Sequence, residues 1–172
     1  MKIIILPGFS SHNRQWAEEA KSKLSDIGEI IVCDWRHWQT GNSADFDVEL
    51  ELKTILEAIG TDEVYVVAKS VGCYMAMLVL EKIYGQILKV VLCGITLSSG
   101  DMSETERTEF QALNLIGASR VLCFQNTDDP YGNFQEAKKF METVNNEIQV
   151  VAKKRNDHEY PYFGEFKKFL AS

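Results

Sequence analysis

Residues 64–72 read Val-Tyr-Val-Val-Ala-Lys-Ser-Val-Gly, an apolar run that ends in a turn at Ser70. The first five residues predict a strand buried on both faces of a parallel sheet. Residues 71–84 are apolar nearly all round and predict a buried helix. The turn between them has the pattern small-x-Ser-x-Gly, with Ala68 and Gly72 as the small residues. Ser70 is therefore a candidate nucleophile; the alternative is a tight turn with a capping serine.

Five further apolar runs recur along the chain. They cover residues 2–6, 30–33, 90–93, 120–124 and 148–152. Segments with helical periodicity lie between or after them, at residues 13–24, 46–59, 103–115, 135–144 and 164–170. Ser103 and Glu106 form a capping-box pattern at the start of one segment. The alternation predicts an α/β fold with about six mostly parallel strands in a three-layer α/β/α sandwich. The length of 172 residues predicts a single domain.

Candidate catalytic residues follow three of the strand-like runs, where ligands bind in sheets of this kind. Ser70 follows the third run, Asp128 and Asp129 follow the fifth, and His158 follows the sixth. In a Ser-His-Asp triad the histidine takes the serine proton, and the aspartate holds the histidine tautomer. The order Ser, Asp, His is the chain order of α/β-hydrolase triads. Position alone leaves both aspartates open as the acid.

The loop after the first strand is a candidate oxyanion site. Pro7 and Gly8 allow the chain to fold back toward Ser70, so the N–H groups of Phe9 and Val71 are candidate donors to a developing oxyanion. The alternative is a plain Pro-Gly turn.

Several residues near the same sheet edge are candidates for lining a pocket. His12 and His37 lie in loops after strands, and Trp35 and Trp38 follow the second strand. Lys69 adjoins the candidate nucleophile. The tryptophans are candidates for an apolar wall against an acyl or aryl group. For the histidines and tryptophans the alternative is structural packing.

Composition excludes several classes of function. The formal net charge of −7 argues against nucleic acid as a partner, because phosphate backbones are bound by clustered Lys and Arg. No G-x-G-x-x-G motif or P-loop follows the first strand, which argues against nucleotide binding. Three scattered histidines provide no ligand set, so we predict no metal and no cofactor.

Hydropathy and cysteine usage predict a cytoplasmic protein. No apolar stretch approaches the roughly 18 residues that a membrane span needs, so we expect no membrane partner. The run at residues 3–6 is too short for a secretory signal. Cys33, Cys73, Cys93 and Cys123 form no C-x-x-C pair, which predicts reduced, buried thiols.

With these motifs in place, the chain resembles the α/β-hydrolase superfamily along nearly its whole length. Residues 7–9 resemble its oxyanion loop, residues 34–36 the Asp-x-Arg after the second strand, and residues 68–73 its nucleophile elbow. Ala68, Lys69 and Cys73 depart from the usual Gly, His and Gly. Residues 127–130, Thr-Asp-Asp-Pro, resemble the compact, lidless serine hydrolases of the retinoblastoma-binding protein 9 group. In that register the resemblance implies Asp129 as the acid.

These observations predict a serine hydrolase acting on small carboxylic esters, thioesters or amides through an acyl-enzyme. Its partner would be a small-molecule substrate, and the oligomeric state stays open. Residues 96–117 are the longest insertion candidate and leave no room for a large cap, so we expect little or no lid. The alternative is a hydrolase-fold binding or scaffold protein with weak or no catalysis.

Overall fold

The computed structural model describes residues 1–97 and 104–172, and its described part contains six strands. They are β1 (Lys2–Leu6), β2 (Glu29–Val32), β3 (Val64–Lys69), β4 (Ile87–Cys93), β5 (Val121–Asn126) and β6 (Gln149–Lys153). All neighbours pair in parallel, in the order β2-β1-β3-β4-β5-β6. Each of the six apolar runs falls on a strand, so the predicted α/β fold is confirmed.

Seven α-helices connect or follow the strands within the described ranges. They are α1 (Asn13–Leu24), α2 (Arg36–Thr40), α3 (Val48–Ile59), α4 (Val71–Ile83), α5 (Glu104–Glu109), α6 (Phe134–Val144) and α7 (Phe163–Ala171). Helix α2 was not predicted, because one turn is too short to show a periodicity. The helix predicted at residues 103–115 is wrong in its second half, which is a 3-10 helix at Phe110–Leu115. The predicted capping box involves Ser103 and the side chain of Glu106, which lie outside the described residues.

Helices cover both faces of the sheet, because side chains along a strand alternate between its faces. In β1, Ile4 and Leu6 belong to the core beneath α3, α4 and α6. Ile3 and Ile5 belong to a second core beneath α1 and α7. The three-layer α/β/α arrangement is therefore confirmed.

The segment at residues 96–117 packs into the core over its described part. Phe110, Ala112 and Leu113 are buried with the residues beneath α4. Residues 98–103 of this segment lie outside the described residues. The described part thus forms part of the helical layer and carries no separate cap.

Candidate active site

Ser70 occupies the turn between β3 and α4 in a backbone conformation that non-glycine residues rarely adopt. Its φ is 56° and its ψ is −123°, the one positive φ of a non-glycine residue within residues 1–97 and 104–172. Strained conformations of this kind cost on the order of 1–3 kcal/mol and cluster at functional sites. The N–H of Ser70 donates to the carbonyl oxygen of Cys93 at 3.0 Å, which ties the turn to β4. The turn has the geometry of a nucleophile elbow.

Close backbone packing explains the small residues around this elbow. A Cβ on Gly72 would lie 2.0 Å from the carbonyl oxygen of Leu6, so the first turn of α4 tolerates no side chain there. Ala68 is fully buried. The thiol of Cys73 donates to the carbonyl oxygens of Ala68 at 3.6 Å and Cys93 at 3.5 Å. The resembled motif has a second glycine at this position. The side chain of Cys73 fits there because its thiol donates hydrogen bonds to main-chain carbonyl oxygens.

His158 lies against Asp129 beyond the ends of β5 and β6. Nδ1 of His158 lies 2.7 Å from Oδ2 of Asp129, whose side chain is fully buried. A carboxylate accepts, so Nδ1 carries the proton and Nε2 of a neutral ring is left as an acceptor. Nε2 is buried and has no hydrogen-bond partner among the described residues. Asp128 is exposed and accepts a hydrogen bond from the Thr127 hydroxyl, so the structure brings Asp129 and not Asp128 to the histidine.

Two further donors hold the Asp129 carboxylate. The N–H of Tyr131 donates to Oδ1 at 2.8 Å, and the hydroxyl of Tyr160 donates to Oδ2 at 2.5 Å. The Tyr160 hydroxyl also accepts from the N–H of Asn126 at 3.2 Å. Burial raises the pKa of the Tyr160 phenol far above its usual range, and the bond to Asp129 raises it further. The hydroxyl therefore stays protonated and is the donor in this pair.

Gly94, at the end of β4, leaves space for these side chains. Its φ is +65°, and a Cβ there would lie 2.8 Å from Cε1 of His158 and 2.7 Å from Cε2 of Tyr160. The histidine ring therefore packs directly on the backbone that follows β4.

Val71 and Phe9 border the same space as Ser70. Val71 is the first residue of α4, so its N–H has no acceptor within the helix. Phe9 lies in the loop after β1, and its carbonyl oxygen faces α2, where it accepts from Nε2 of His37 and Nε1 of Trp38. The N–H of Val71 thus lies at the N-terminus of α4, directly after Ser70.

A cavity of about 430 Å³ joins these groups. Its described lining is aromatic and polar, and the ionisable groups in it are the His158 imidazole, the buried Cys73 thiol and the phenols of Tyr74 and Tyr131. The lining residues are Phe9, Ser10, Asn13, Ser70, Val71, Cys73, Tyr74, Thr96, Tyr131 and His158. Ser70 and His158 therefore open onto one space large enough for a small organic molecule.

The sequence profile of the family described as serine hydrolase matches residues 3–158 of the chain. The chain belongs to this family. A comparison with curated protein sequences finds no significant match.

Solved structures share the fold of this serine hydrolase at low sequence identity. α/β-Hydrolase domain-containing protein 10 from mouse is 14% identical with a TM-score of 0.71, over 99% of this chain and 88% of that one. An esterase from Exiguobacterium antarcticum is 15% identical with a TM-score of 0.66, over 99% and 90%. A serine hydrolase without lid from Xanthomonas campestris is 15% identical with a TM-score of 0.63, over 99% and 76%. These likenesses show that the chain has the α/β-hydrolase fold.

Two residues expected to line the pocket of the hydrolase lie elsewhere. Trp35 is fully buried in the core, and its indole N–H donates to the carbonyl oxygens of Pro7 at 3.2 Å and Gly8 at 3.1 Å. His12 is exposed and immediately precedes α1. Neither lines the cavity beside Ser70, so the structure favours the alternative of structural packing for Trp35 and a surface position for His12. Trp35 points inward because its ring and its N–H both find partners in the core.

Lys69 also lies outside the cavity, although it adjoins the elbow. Strand alternation puts its side chain on the face covered by α1, where its Nζ lies 5.8 Å from the centre of the Trp16 ring. Lys69 is 2% exposed, and its Nζ lies 3.2 Å from Oε2 of Glu159, whose side chain is 60% exposed. The expectation that Lys69 lines the pocket was wrong. Its charge instead pairs beneath the loop that carries His158.

Sequence reasoning missed Gly94, Tyr131 and Tyr160 as parts of the site. Gly94 follows an apolar strand, as Gly8 does. Its position at a strand end is the one feature of the sequence that could have marked it as part of the site. No periodicity marks Tyr131 or Tyr160, because their roles depend on which side chain lies across the loop.

No helix in the described ranges is long and apolar enough to cross a membrane. Within those ranges, no three His, Cys, Asp or Glu residues are grouped so that they could hold a metal ion. The four cysteines carry free thiols, and Cys33 is half-buried while the others are buried.

Proposed function

We propose that this serine hydrolase cleaves small carboxylic esters, or the related thioesters and amides, through Ser70, His158 and Asp129. The observation that carries the proposal is the 2.7 Å contact between Nδ1 of His158 and Oδ2 of Asp129. That contact leaves Nε2 as an acceptor without a partner among the described residues, and His158 lines the cavity that also holds Ser70 on its strained turn. A base, its orienting carboxylate and a candidate nucleophile thus meet at one sheet edge.

In the first half of the proposed reaction, Ser70 attacks the substrate carbonyl. Nε2 of His158 takes the proton from Oγ as the new carbon–oxygen bond forms. The Asp129 carboxylate stabilises the resulting imidazolium and keeps the ring in this tautomer. When the tetrahedral intermediate collapses, the bond to the leaving group breaks and the imidazolium returns the proton to that group. The acyl group remains esterified to Ser70.

In the second half, water replaces the leaving group. Nε2 of His158 accepts a proton from the water as its oxygen adds to the acyl carbon. Collapse of the second tetrahedral intermediate breaks the ester bond to Ser70, and Oγ regains its proton from the imidazolium. The acid product leaves with the enzyme restored, and the cycle needs no cofactor.

The N–H groups of Phe9 and Val71 are the proposed donors to the oxyanion in both intermediates. Val71 adds the positive end of the α4 dipole, which favours negative charge at this position. Donors of this type contribute because they are fixed before the charge develops.

The size and lining of the cavity favour small, uncharged groups on the substrate. Its volume of about 430 Å³ suits a ligand of modest size, and its described lining includes no Lys, Arg, Asp or Glu. One solved structure of the same fold is described as an esterase, which fits an ester as the scissile group.

A fluorophosphonate probe at neutral pH tests the proposal directly. We expect it to label the wild-type protein and not Ser70→Ala, while Ser22→Ala serves as a matched control on the exposed surface of α1. Absence of labelling in folded wild type would overturn the proposal. Turnover of short p-nitrophenyl esters should fall about 10⁴-fold or more in Ser70→Ala. Turnover by the wild-type protein should be unchanged when a metal chelator is added. Equal turnover in wild type and Ser70→Ala would favour a binding or scaffold protein instead.

A further inference from the structure

The loop that carries the Phe9 amide is held by side chains at the start of α2. Nε1 of Trp35 lies 3.2 Å from the carbonyl oxygen of Pro7 and 3.1 Å from that of Gly8. Trp35 is fully buried, so its N–H has no water as an alternative acceptor. These bonds fix the carbonyl of the peptide unit whose N–H belongs to Phe9.

The direction of the Phe9 N–H follows from that contact. The described residues contain no cis peptide bond, and in a trans peptide the C=O and N–H point in opposite directions. Because the Gly8 carbonyl is turned toward the Trp35 indole, the Phe9 N–H is turned away from that indole. Phe9 also lines the cavity together with Ser70 and Val71.

Two more side chains fix the next peptide unit. The carbonyl oxygen of Phe9 accepts from Nε2 of His37 at 2.7 Å and from Nε1 of Trp38 at 2.6 Å. The rings of Phe9 and His37 stack with centroids 4.3 Å apart. Since Nε2 of His37 donates, Nδ1 of the neutral ring carries no proton, and it is buried without a partner among the described residues. Three donors from one short stretch thus clamp three consecutive carbonyls.

The clamp is itself anchored to the core. The N–H of Arg36 donates to Oε1 of the buried Glu51 at 2.8 Å, which ties the start of α2 to α3. Gly41 ends α2 in a left-handed conformation with φ 74°. A helix of one turn is not stable alone, so its position depends on these contacts.

We infer that Trp35, His37 and Trp38 are positioning residues that orient the Phe9 N–H as an oxyanion donor. The inference rests on the proposed function, in which Phe9 supplies one of the two donors. These side chains act through the loop backbone and touch no substrate. Their contribution should therefore appear in the transition state and not in ground-state binding.

The test uses Trp35→Phe and Trp38→Phe, which keep an aromatic ring and remove the N–H donor. For p-nitrophenyl ester hydrolysis we expect kcat to fall about 10- to 100-fold with KM changed less than about 3-fold. The Kd of a boronic acid that forms a tetrahedral adduct with the nucleophile should weaken by about the same factor as kcat/KM.

Phe166→Leu is the matched control, because it weakens the core beneath α7 without touching the loop. It should lower Tm and leave kcat and the boronic acid Kd unchanged. If the tryptophan variants show wild-type kcat, or raise KM alone, the inference is wrong. If wild type itself shows neither probe labelling nor turnover, the proposed function fails. Failure of the inference is a different result, because the wild type is then active and the tryptophan variants behave like it or raise KM alone.

Discussion

The hydroxyl of Tyr160 lies 2.5 Å from Oδ2 of Asp129, the same oxygen that lies 2.7 Å from Nδ1 of His158. One carboxylate oxygen therefore accepts from both a phenol and the proposed catalytic base. The hydrogen bond from the Tyr160 phenol reduces the negative charge on Oδ2 that is available to stabilise a His158 imidazolium.

Removing this hydroxyl should change the pH dependence of the reaction. In Tyr160→Phe, Oδ2 loses a donor and its charge acts more strongly on His158, so protonation of the ring becomes easier. We expect the acid limb of kcat/KM to move to higher pH by about half a unit, and kcat at its plateau to fall about 3- to 10-fold. The profile is measured from pH 5 to 9.

Tyr162→Phe is the control for this change. Its hydroxyl donates to Oδ1 of Asn126 at 2.7 Å and not to Asp129. It should leave the acid limb in place. A Tyr160→Phe profile that overlays wild type would show that the phenol does not tune the site.

The two neighbouring aspartates allow a paired test of the acid. Asp129→Asn should lower kcat by about 10³- to 10⁴-fold, because the amide cannot hold the histidine tautomer or stabilise its charged form. Asp128→Asn should change kcat less than about 2-fold, since this exposed side chain meets the Thr127 hydroxyl instead. Steady-state kinetics measures kcat in both variants. Equal losses of kcat would contradict the assignment of Asp129, and not Asp128, as the acid of the triad.

The close approach of α4 to β1 predicts a large stability effect. In Gly72→Ala the new Cβ would lie 2.0 Å from the carbonyl oxygen of Leu6. We expect the free energy of unfolding to fall by roughly 3 kcal/mol or more, measured by urea denaturation. Gly85→Ala is the control, because a Cβ there would meet no atom within 4 Å. Its effect should stay below about 1 kcal/mol, and a similar loss in both variants would contradict the packing account.

The buried thiols predict a loss of stability in alkaline solution. Burial raises the pKa of Cys73 from its usual 9.0 to about 12, and it raises those of Cys93 and Cys123 as well. The unfolded chain releases thiol protons above pH 9 while the folded chain keeps them, so the stabilising effect is complete below that pH and is lost above it.

Comparison with Cys123→Ala isolates one thiol. Between pH 8 and pH 10 the difference in unfolding free energy between wild type and this variant should narrow by about 1.4 kcal/mol. A constant difference over this range would show that the thiol ionises equally in both states. In native wild type the buried thiols of Cys73, Cys93 and Cys123 should also resist alkylation by iodoacetamide at pH 8 until the protein is denatured.

The sequence alone determined the alternation of strands and helices, the elbow at Ser70 and the placement of Asp129 and His158 at strand ends. These features depend on local patterns: continuous apolar runs specify buried strands, and small residues mark a turn that cannot hold side chains. The residues alone left Asp128 and Asp129 open, and resemblance favoured the second.

Only the tertiary structure decided where individual side chains point. Adjacent residues at a strand end face opposite sides, so Lys69 lies beneath α1 while Ser70 faces the cavity. Trp35 and Tyr160 acquire their partners from loops 27 and 31 residues away. No local pattern encodes such pairs, because they form only when the sheet brings distant strand ends to one edge.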